Sequence, residues 1–144
     1  MQSERQIVSV LGGDKVLHHK VKGALDFDRL IREGFPWEAS VRVKEALCMR
    51  DNEFAKILGI SVRTLSRLKT EARMPSITSD RLYRLARIYA FAIEVLEDAE
   101  KAMRWMHREQ IGLGGRVPLE MIETEAGERE VENLLGRIEH GVLA

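Results

Sequence analysis

The chain has little of several residue types that define whole classes of protein. Cysteine occurs once in 144 residues, at Cys48, so no disulfide can form within the chain, and the single thiol fits a reducing compartment. Cys48 lies in an apolar helical run, which predicts a buried and inert thiol. The sequence also has no signal peptide and no apolar run of membrane-spanning length. A cytoplasmic protein without membrane attachment is therefore expected.

No group of side chains has the composition of a catalytic or metal site. The four histidines do not cluster with other ligand types, and the adjacent His18 and His19 would point to different faces of a helix. The glycine-rich segment Gly112–Gly115 lacks the preceding strand and the lysine of a nucleotide-binding loop. The sequence therefore predicts a binding protein rather than an enzyme, with no cofactor and no metal.

The formal net charge is zero, but the charges are distributed unevenly along the chain. Residues 36–75 contain eight Lys and Arg against five Asp and Glu, whereas residues 109–144 contain three against eight. A basic middle and an acidic tail indicate two partners of different charge.

The stretch from Asp51 to Lys69 has the pattern of two short helices joined by a tight turn. Gly59 can take the positive φ that ends one helix, and Ser61 is a suitable N-cap for the next. Ala55 is small enough for the two helices to cross closely. The apolar residues that recur at helical spacing are Phe54, Ile57, Leu58, Leu65 and Leu68. This pattern predicts a helix-turn-helix motif.

The second helix of such a motif lies in the major groove of DNA. Arginine side chains can pair with guanine edges, while hydroxyl and lysine side chains suit phosphates. The alternative is an ordinary helical hairpin with a solvated basic face. The outward-facing residues that we predict to bind DNA are Ser61, Arg63, Thr64, Ser66, Arg67 and Lys69.

The remaining sequence has helical periods and capping residues almost throughout, so the predicted fold class is all-α. Strand propensity is confined to the apolar run Ile7–Leu11. Asp28 is the predicted N-cap of a helix closed by Gly34, and Pro36 begins a helix that continues to about Met49.

The longest helix is expected to be capped by Thr78–Asp80 and to continue to Arg108, with a kink near Asp98. A stripe of arginines marks its first turns, consistent with either a solvated face or phosphate contacts. This stripe consists of Arg81, Arg84 and Arg87.

The tail changes character at Gly112–Gly115, which breaks the helix. Thr124 or Glu125 then begins a final amphipathic helix with a predicted end at Gly141. Gly136 inside that helix costs about 1 kcal/mol relative to alanine, which predicts a close contact with another backbone.

Several sequence pieces resemble one family. The motif GISVRTLSRLK at 59–69, followed by SDRLYRLARIYAFA at 79–92, resembles the antitoxins grouped as Xre/MbcA/ParS. The tail from 113 onward, LGGRVPLEMIETEAGEREVENLLGRIEHGV, is similar to the C-terminal toxin-binding domain of that family. Its LGG, PLE, TE-x-G and RI-x-HG pieces occur in order, and the resemblance extends from about Leu25 to the end.

The resemblance implies the antitoxin half of a type II toxin–antitoxin pair. The usual partner is a RES-domain toxin, an enzyme that depletes NAD⁺, and family antitoxins cover its active site with their last helix. Such antitoxins are commonly homodimers that repress their own operon by binding operator DNA. This implies a DNA-binding region at 1–108, with its motif at about 51–69, and a toxin-binding domain at 109–144. The toxin contacts implied by the resemblance are Arg137, His140, Gly141, Val142 and Leu143.

Two other functions fit the same residues. The chain could be a stand-alone helix-turn-helix repressor whose C-terminal region only dimerises. It could also be an interaction protein whose helix-turn-helix no longer binds DNA. A toxin gene beside its own gene would distinguish the antitoxin from the stand-alone repressor.

Overall fold

The computed structural model describes residues 3–141 of the chain. This part is helical and contains no β-strand, and its one isolated bridge joins Gln110 to Arg116. The predicted all-α fold class is therefore confirmed. A 3₁₀ turn covers Ile111–Leu113, and the α-helices are α1 (Glu4–Val10), α2 (Asp14–Leu17), α3 (Ala24–Glu33), α4 (Trp37–Ala46), α5 (Asp51–Leu58), α6 (Val62–Leu68), α7 (Ser76–Leu96), α8 (Ala99–His107), α9 (Pro118–Met121) and α10 (Glu125–Glu139).

The longest helix, α7, is the element on which most of the others pack. Helices α1, α3, α5, α8 and α10 all contact it. Leu82, Leu85 and Ile88 are completely buried as a result. A helix enclosed from several sides needs apolar residues around much of its circumference, rather than on the single stripe of a surface helix.

The apolar run with strand propensity, Ile7–Leu11, forms most of helix α1 and its C-cap. Ile7, Val8 and Leu11 are buried, and α1 packs against α7. Tertiary packing against α7 thus overrides the local preference of these β-branched residues for extended backbone.

The thiol of Cys48 is exposed, so the prediction of a buried cysteine was wrong. Helix α4 ends at Ala46 rather than near Met49, and Cys48 has a positive φ of 50° in the connection that follows. Its neighbours Leu47 and Met49 occupy the core instead. The helical period on which the prediction rested stops before the cysteine.

The start of α7 is held by a tertiary hydrogen bond, not by the predicted cap at Thr78–Asp80. The helix begins at Ser76, and Thr78 and Ser79 are buried within its first turns. The backbone N–H of Phe35 donates to Oγ of Ser79 at 2.9 Å. The serine hydroxyl therefore connects α7 to the α3–α4 connection.

Helix α3 begins at Ala24, four residues before the predicted N-cap Asp28, so that assignment was wrong. Asp28 lies inside the helix, where its carboxylate pairs with Arg32 at 3.0 Å. The predicted end at Gly34 is confirmed, with a φ of 91°. A Cβ added there would lie 2.0 Å from the carbonyl oxygen of Met74, so only glycine fits.

The predicted interruption near Asp98 is confirmed as a complete break between α7 and α8. Glu97 adopts a left-handed conformation with φ of 58°. Asp98 then caps α8, its carboxylate accepting from the N–H of Lys101 at 2.8 Å.

The final helix α10 begins as predicted after Thr124, whose hydroxyl accepts from the N–H of Gly127 at 3.0 Å. The close backbone contact predicted for Gly136 is wrong, because a Cβ added there would meet nothing within 4 Å. The close contact occurs at Gly127, where an added Cβ would lie 2.0 Å from the carbonyl oxygen of Met121.

Replacing these two glycines of α10 by alanine should have opposite effects on the stability of the protein. Gly127→Ala should destabilise the protein by about 1–3 kcal/mol, because the backbone of Met121 has to move. Gly136→Ala should stabilise it by up to about 1 kcal/mol, since alanine is the better helix former and has room. Urea unfolding of both variants measures the difference. A Gly127→Ala variant as stable as the parent would contradict the close approach.

Candidate nucleic-acid and partner-protein interfaces

Helices α5 and α6 form the predicted helix-turn-helix. Gly59 ends α5 with a φ of 72°, and Ala55 is buried between the helices. Ser61 is the N-cap of α6, its Oγ accepting from the N–H of Thr64 at 3.0 Å. The stop, the small residue and the cap predicted from the sequence are therefore confirmed.

The turn also lies against α7, which fixes its position. A Cβ added to Gly59 would come within 2.9 Å of the guanidinium of Arg81. The positive φ of Gly59 favours glycine here, whereas the flexible side chain of Arg81 could move aside. Arg81, the first residue of the predicted arginine stripe, covers the turn.

Helix α6 buries Leu65 and Leu68 and turns its remaining face to solvent. Arg63, Arg67 and Lys69 are exposed there, and none of them forms an ion pair with a described residue. Cations without internal partners are free to contact phosphates or base edges.

The hydroxyl residues predicted to bind DNA differ in their surroundings. Ser66 and Ser61 are exposed, whereas Thr64 is half-buried. The hydroxyl of Ser61 donates to Oγ1 of Thr64 at 3.0 Å while accepting from its backbone N–H. Ser61 and Thr64 therefore stabilise the start of α6, and their DNA contacts stay a prediction.

A groove of about 290 Å³ with both apolar and polar walls lies beside α6. Its apolar walls are formed by Trp37, Val41, Phe54, Val62 and Leu65. Lys44 and Asp51 pair across its rim at 2.9 Å, and the hydrogen bond from Lys44 lowers the pKa of the Asp51 carboxyl. The charge of Asp51 in this groove is thus neutralised by Lys44.

Val62, which the sequence prediction left out, belongs to the exposed face of α6. It is the first residue of the helix, and 47% of its surface is exposed. The signal was present in the sequence, because Val62 stands between the predicted contacts Ser61 and Arg63. Selecting only polar residues for the DNA-binding face omitted it.

Two arginines of the predicted stripe have a role that sequence reasoning missed. Arg84 donates to Glu128 at 2.8 Å, and Arg87 pairs with Glu128 at 2.5 Å and with Glu132 at 2.6 Å. Glu128 is only 3% exposed. Neither a solvated face nor a phosphate site describes Arg84 and Arg87, which form ion pairs between α7 and α10. The spacing of Glu128 and Glu132 by four residues could have indicated such a pairing.

The C-terminal half of α10 buries Leu134 and Leu135 on the body of the protein. On its other side Arg137 is partly exposed, and its side chain forms no hydrogen bond or ion pair with a described residue. His140 is the exposed C-cap, and Gly141 turns with a φ of 73°. The predicted contacts Val142 and Leu143 lie outside the described residues.

Residues 3–141 contain neither a membrane-spanning helix nor a metal-binding cluster. No helix there is long and apolar enough to cross a membrane. No group of three His, Cys, Asp or Glu side chains in that part could hold a metal ion. His19 instead contacts Arg29 and lies 3.5 Å from the carboxylate of Asp26.

The fold and these surfaces define a helix-turn-helix protein with a second, C-terminal binding region. The family model for the antitoxin Xre-like helix-turn-helix domain matches residues 26–87. The model for the antitoxin Xre/MbcA/ParS C-terminal toxin-binding domain matches residues 91–141.

Three curated relatives, each named antitoxin Xre, are similar to this chain. The protein from Photorhabdus laumondii subsp. laumondii is 32% identical over 117 residues, which span 80% of this chain and 79% of the relative. That from Yersinia enterocolitica is 38% identical over 94 residues, or 64% of each chain. That from Pseudomonas putida is 34% identical over 112 residues, 77% of this chain and 69% of the relative.

The chain therefore belongs to the Xre/MbcA/ParS family of antitoxins. It is a DNA-binding regulatory protein with a toxin partner and not an enzyme. The match to a toxin-binding domain favours this function over that of a stand-alone repressor.

The buried carboxylate of Glu128 gives a stability prediction. Glu128→Ala should destabilise the protein by about 2–4 kcal/mol, because Arg84 and Arg87 lose the partner that neutralises them in a partly buried site. Glu125→Ala is the matched control in the same helix, since its pair with Arg129 is exposed on both sides and should contribute less than about 0.5 kcal/mol. Urea unfolding of the two variants measures both effects. Equal effects would contradict a structural role for the α7–α10 ion pairs.

Proposed function

We propose that this antitoxin inhibits a RES-domain toxin that depletes NAD⁺, by covering its active site, and that it represses its own operon. The observation that carries this proposal is the presence of both matched segments, helix-turn-helix and toxin-binding, in one chain. The RES identity of the toxin comes from the resemblance of the tail sequence to the family. Binding the toxin and binding the operator then belong to different surfaces.

Operator binding is proposed for the region 1–108, through the exposed face of α6. Arg63, Arg67 and Lys69 support this assignment because they are exposed and form no ion pair with a described residue. Ser61, Thr64 and Ser66 complete the proposed contact set. A recognition helix of this kind enters the major groove with its N-terminal residues near base edges.

Toxin binding is proposed for the region 109–144, with contacts from Arg137, His140, Gly141, Val142 and Leu143. The partly exposed side chain of Arg137, which has no hydrogen bond or ion pair with a described residue, supports its part of this assignment, because its guanidinium can offer two parallel N–H donors to a carboxylate or to carbonyl groups. The excess of acidic residues in 109–144 would complement a cationic cleft that otherwise receives a dinucleotide.

We also propose that the antitoxin is a homodimer. A helix-turn-helix dimer reads two half-sites about one helical turn of DNA apart, which multiplies the few contacts available to one α6. Light scattering of the purified chain measures the oligomeric state, and a monomer at micromolar concentration would contradict this part of the proposal.

Replacing Arg63 or Arg67 by alanine should weaken operator binding. An arginine that pairs with a guanine should cost about 1–3 kcal/mol at one base position and relax the preference there. An arginine that binds a phosphate should weaken all sequences alike and reduce the salt slope by about one unit. Titration of labelled duplexes at several salt concentrations separates these roles.

The control for this prediction is Arg32→Ala, which removes the same charge from α3. The side chain of Arg32 is 77% exposed and pairs with Asp28 within one helix, so operator affinity should change little. A double Arg63→Ala, Arg67→Ala variant that binds the operator like the parent would show that α6 is not the recognition helix.

Arg137→Ala, or deletion of 140–144, should restore NAD⁺ hydrolysis by the toxin in the mixed proteins. An arginine buried in the interface should cost about 2–5 kcal/mol on truncation, a loss of affinity of about thirtyfold or more. Operator binding by the free antitoxin should survive, because α6 is unchanged. NAD⁺ turnover at fixed stoichiometry is the measurement.

Arg129→Ala is the matched control for Arg137→Ala, because Arg129 lies on the same helix and pairs with Glu125 in solvent. It should inhibit the toxin like the parent. Point variants suit this test better than removal of the whole tail, since α10 buries Val131, Leu134 and Leu135. Full inhibition by both Arg137→Ala and the terminal deletion would refute active-site covering by this end of α10.

A further inference from the structure

Val62 is an apolar residue at a position where a DNA-binding helix meets base edges. It is the first residue of α6, directly between Ser61 and Arg63, and 47% of its surface is exposed. Single exposed apolar residues are common on protein surfaces and by themselves indicate nothing. The exposure of Val62 is relevant to DNA binding because this residue lies between two predicted DNA contacts.

The packing of α6 does not account for this valine. Leu65 and Leu68 supply the buried contacts of the helix. A β-branched residue is also not a preferred former of an exposed helical turn. Polar side chains occupy the rest of the exposed face, where Arg63, Ser66 and Arg67 are all solvent-accessible.

Val62 also lies on the wall of the groove beside α6, so a group that contacts this valine would lie against the groove as well. Val62 lines it together with Trp37, Val41 and Phe54. A methyl group placed against Val62 would lie at the edge of this groove, which Ser66 and Lys69 also line, and it would displace water from the exposed part of the valine.

DNA presents one such methyl group in the major groove. The C5-methyl of thymine is the only apolar group on a base edge there, and small apolar side chains contact it. The cations of α6 supply the attraction to phosphates that brings this face to the duplex.

We propose that Val62 determines operator specificity by contacting the C5-methyl group of a thymine in each half-site. The inference deepens the proposed operator binding by α6 and rests on it. The valine contributes nothing to phosphate binding, so it selects among sequences without changing the salt dependence of binding.

The test uses the full-length chain and a duplex enriched by it from a random pool. Each thymine of the enriched sequence is replaced in turn by deoxyuridine, which removes only the C5-methyl group. Burial of one methyl group corresponds to about a fourfold change in affinity. We expect one thymine per half-site to show about this loss with the parent protein.

The same duplexes are then titrated with Val62→Ala. This variant should bind the thymine duplex about fourfold or more weakly than the parent and should no longer distinguish thymine from uracil at that position. Val62→Thr, which keeps one methyl group, should retain part of the discrimination. Leu25→Ala is the matched control, because Leu25 is an aliphatic residue that is 86% exposed on α3, and it should keep both affinity and discrimination.

The outcomes separate this inference from the proposal on which it rests. Selective binding with no thymine sensitive to uracil, or an undiminished sensitivity in Val62→Ala, would refute the thymine contact and leave operator binding by α6 intact. A change of oligomeric state in Val62→Ala with unchanged uracil sensitivity would assign the valine to a protein contact instead. Failure of the parent to enrich any sequence would refute both.

Discussion

The structure depends on the burial of α7 from several sides. Its neighbours include α5, which belongs to the helix-turn-helix, and α10, which belongs to the toxin-binding tail. Leu82, Leu85 and Ile88 lose all contact with solvent in this arrangement. Because the two functional parts share one supporting helix, neither can shift on α7 without disturbing the core that holds the other.

The charges between α7 and α10 set the orientation of that packing more than its strength. Two helices that contact each other only through apolar surfaces can slide or rotate with a modest loss of stability. Glu128, in contrast, is neutralised only where Arg84 and Arg87 both reach it. Ion pairs with such a buried carboxylate add little net stability, since removing the charges from water costs about as much as their attraction returns. We expect them to disfavour other registers of α10 and so to fix where Arg137 and His140 lie.

The features that could be predicted from the sequence are those that depend only on residues close to one another in the sequence. Gly59, Ser61 and Thr124 act through backbone groups within five residues, and the break at Asp98 is of the same kind. Some of the features that were missed depend on contacts between different elements of the fold, whereas the errors at Asp28 and Cys48 come from helix boundaries that the local pattern did not locate. Ser79 accepts from Phe35, Gly127 approaches Met121, and Arg84 pairs with Glu128 across 44 residues. No local pattern distinguishes such a serine from a cap, or such an arginine from a solvated one.

The formal net charge of the chain is zero, but its charged side chains are not evenly distributed in the structure. Internal pairing with Arg84 and Arg87 uses Glu128 and Glu132 of the acidic tail. The exposed carboxylates Glu120, Glu123 and Glu130 form no ion pair with a described residue, just as the cations of α6 form none. The unpaired charges are therefore mainly negative on the tail, apart from Arg116 and Arg137, and positive on α6. We expect this separation to favour DNA at α6 over DNA at the tail.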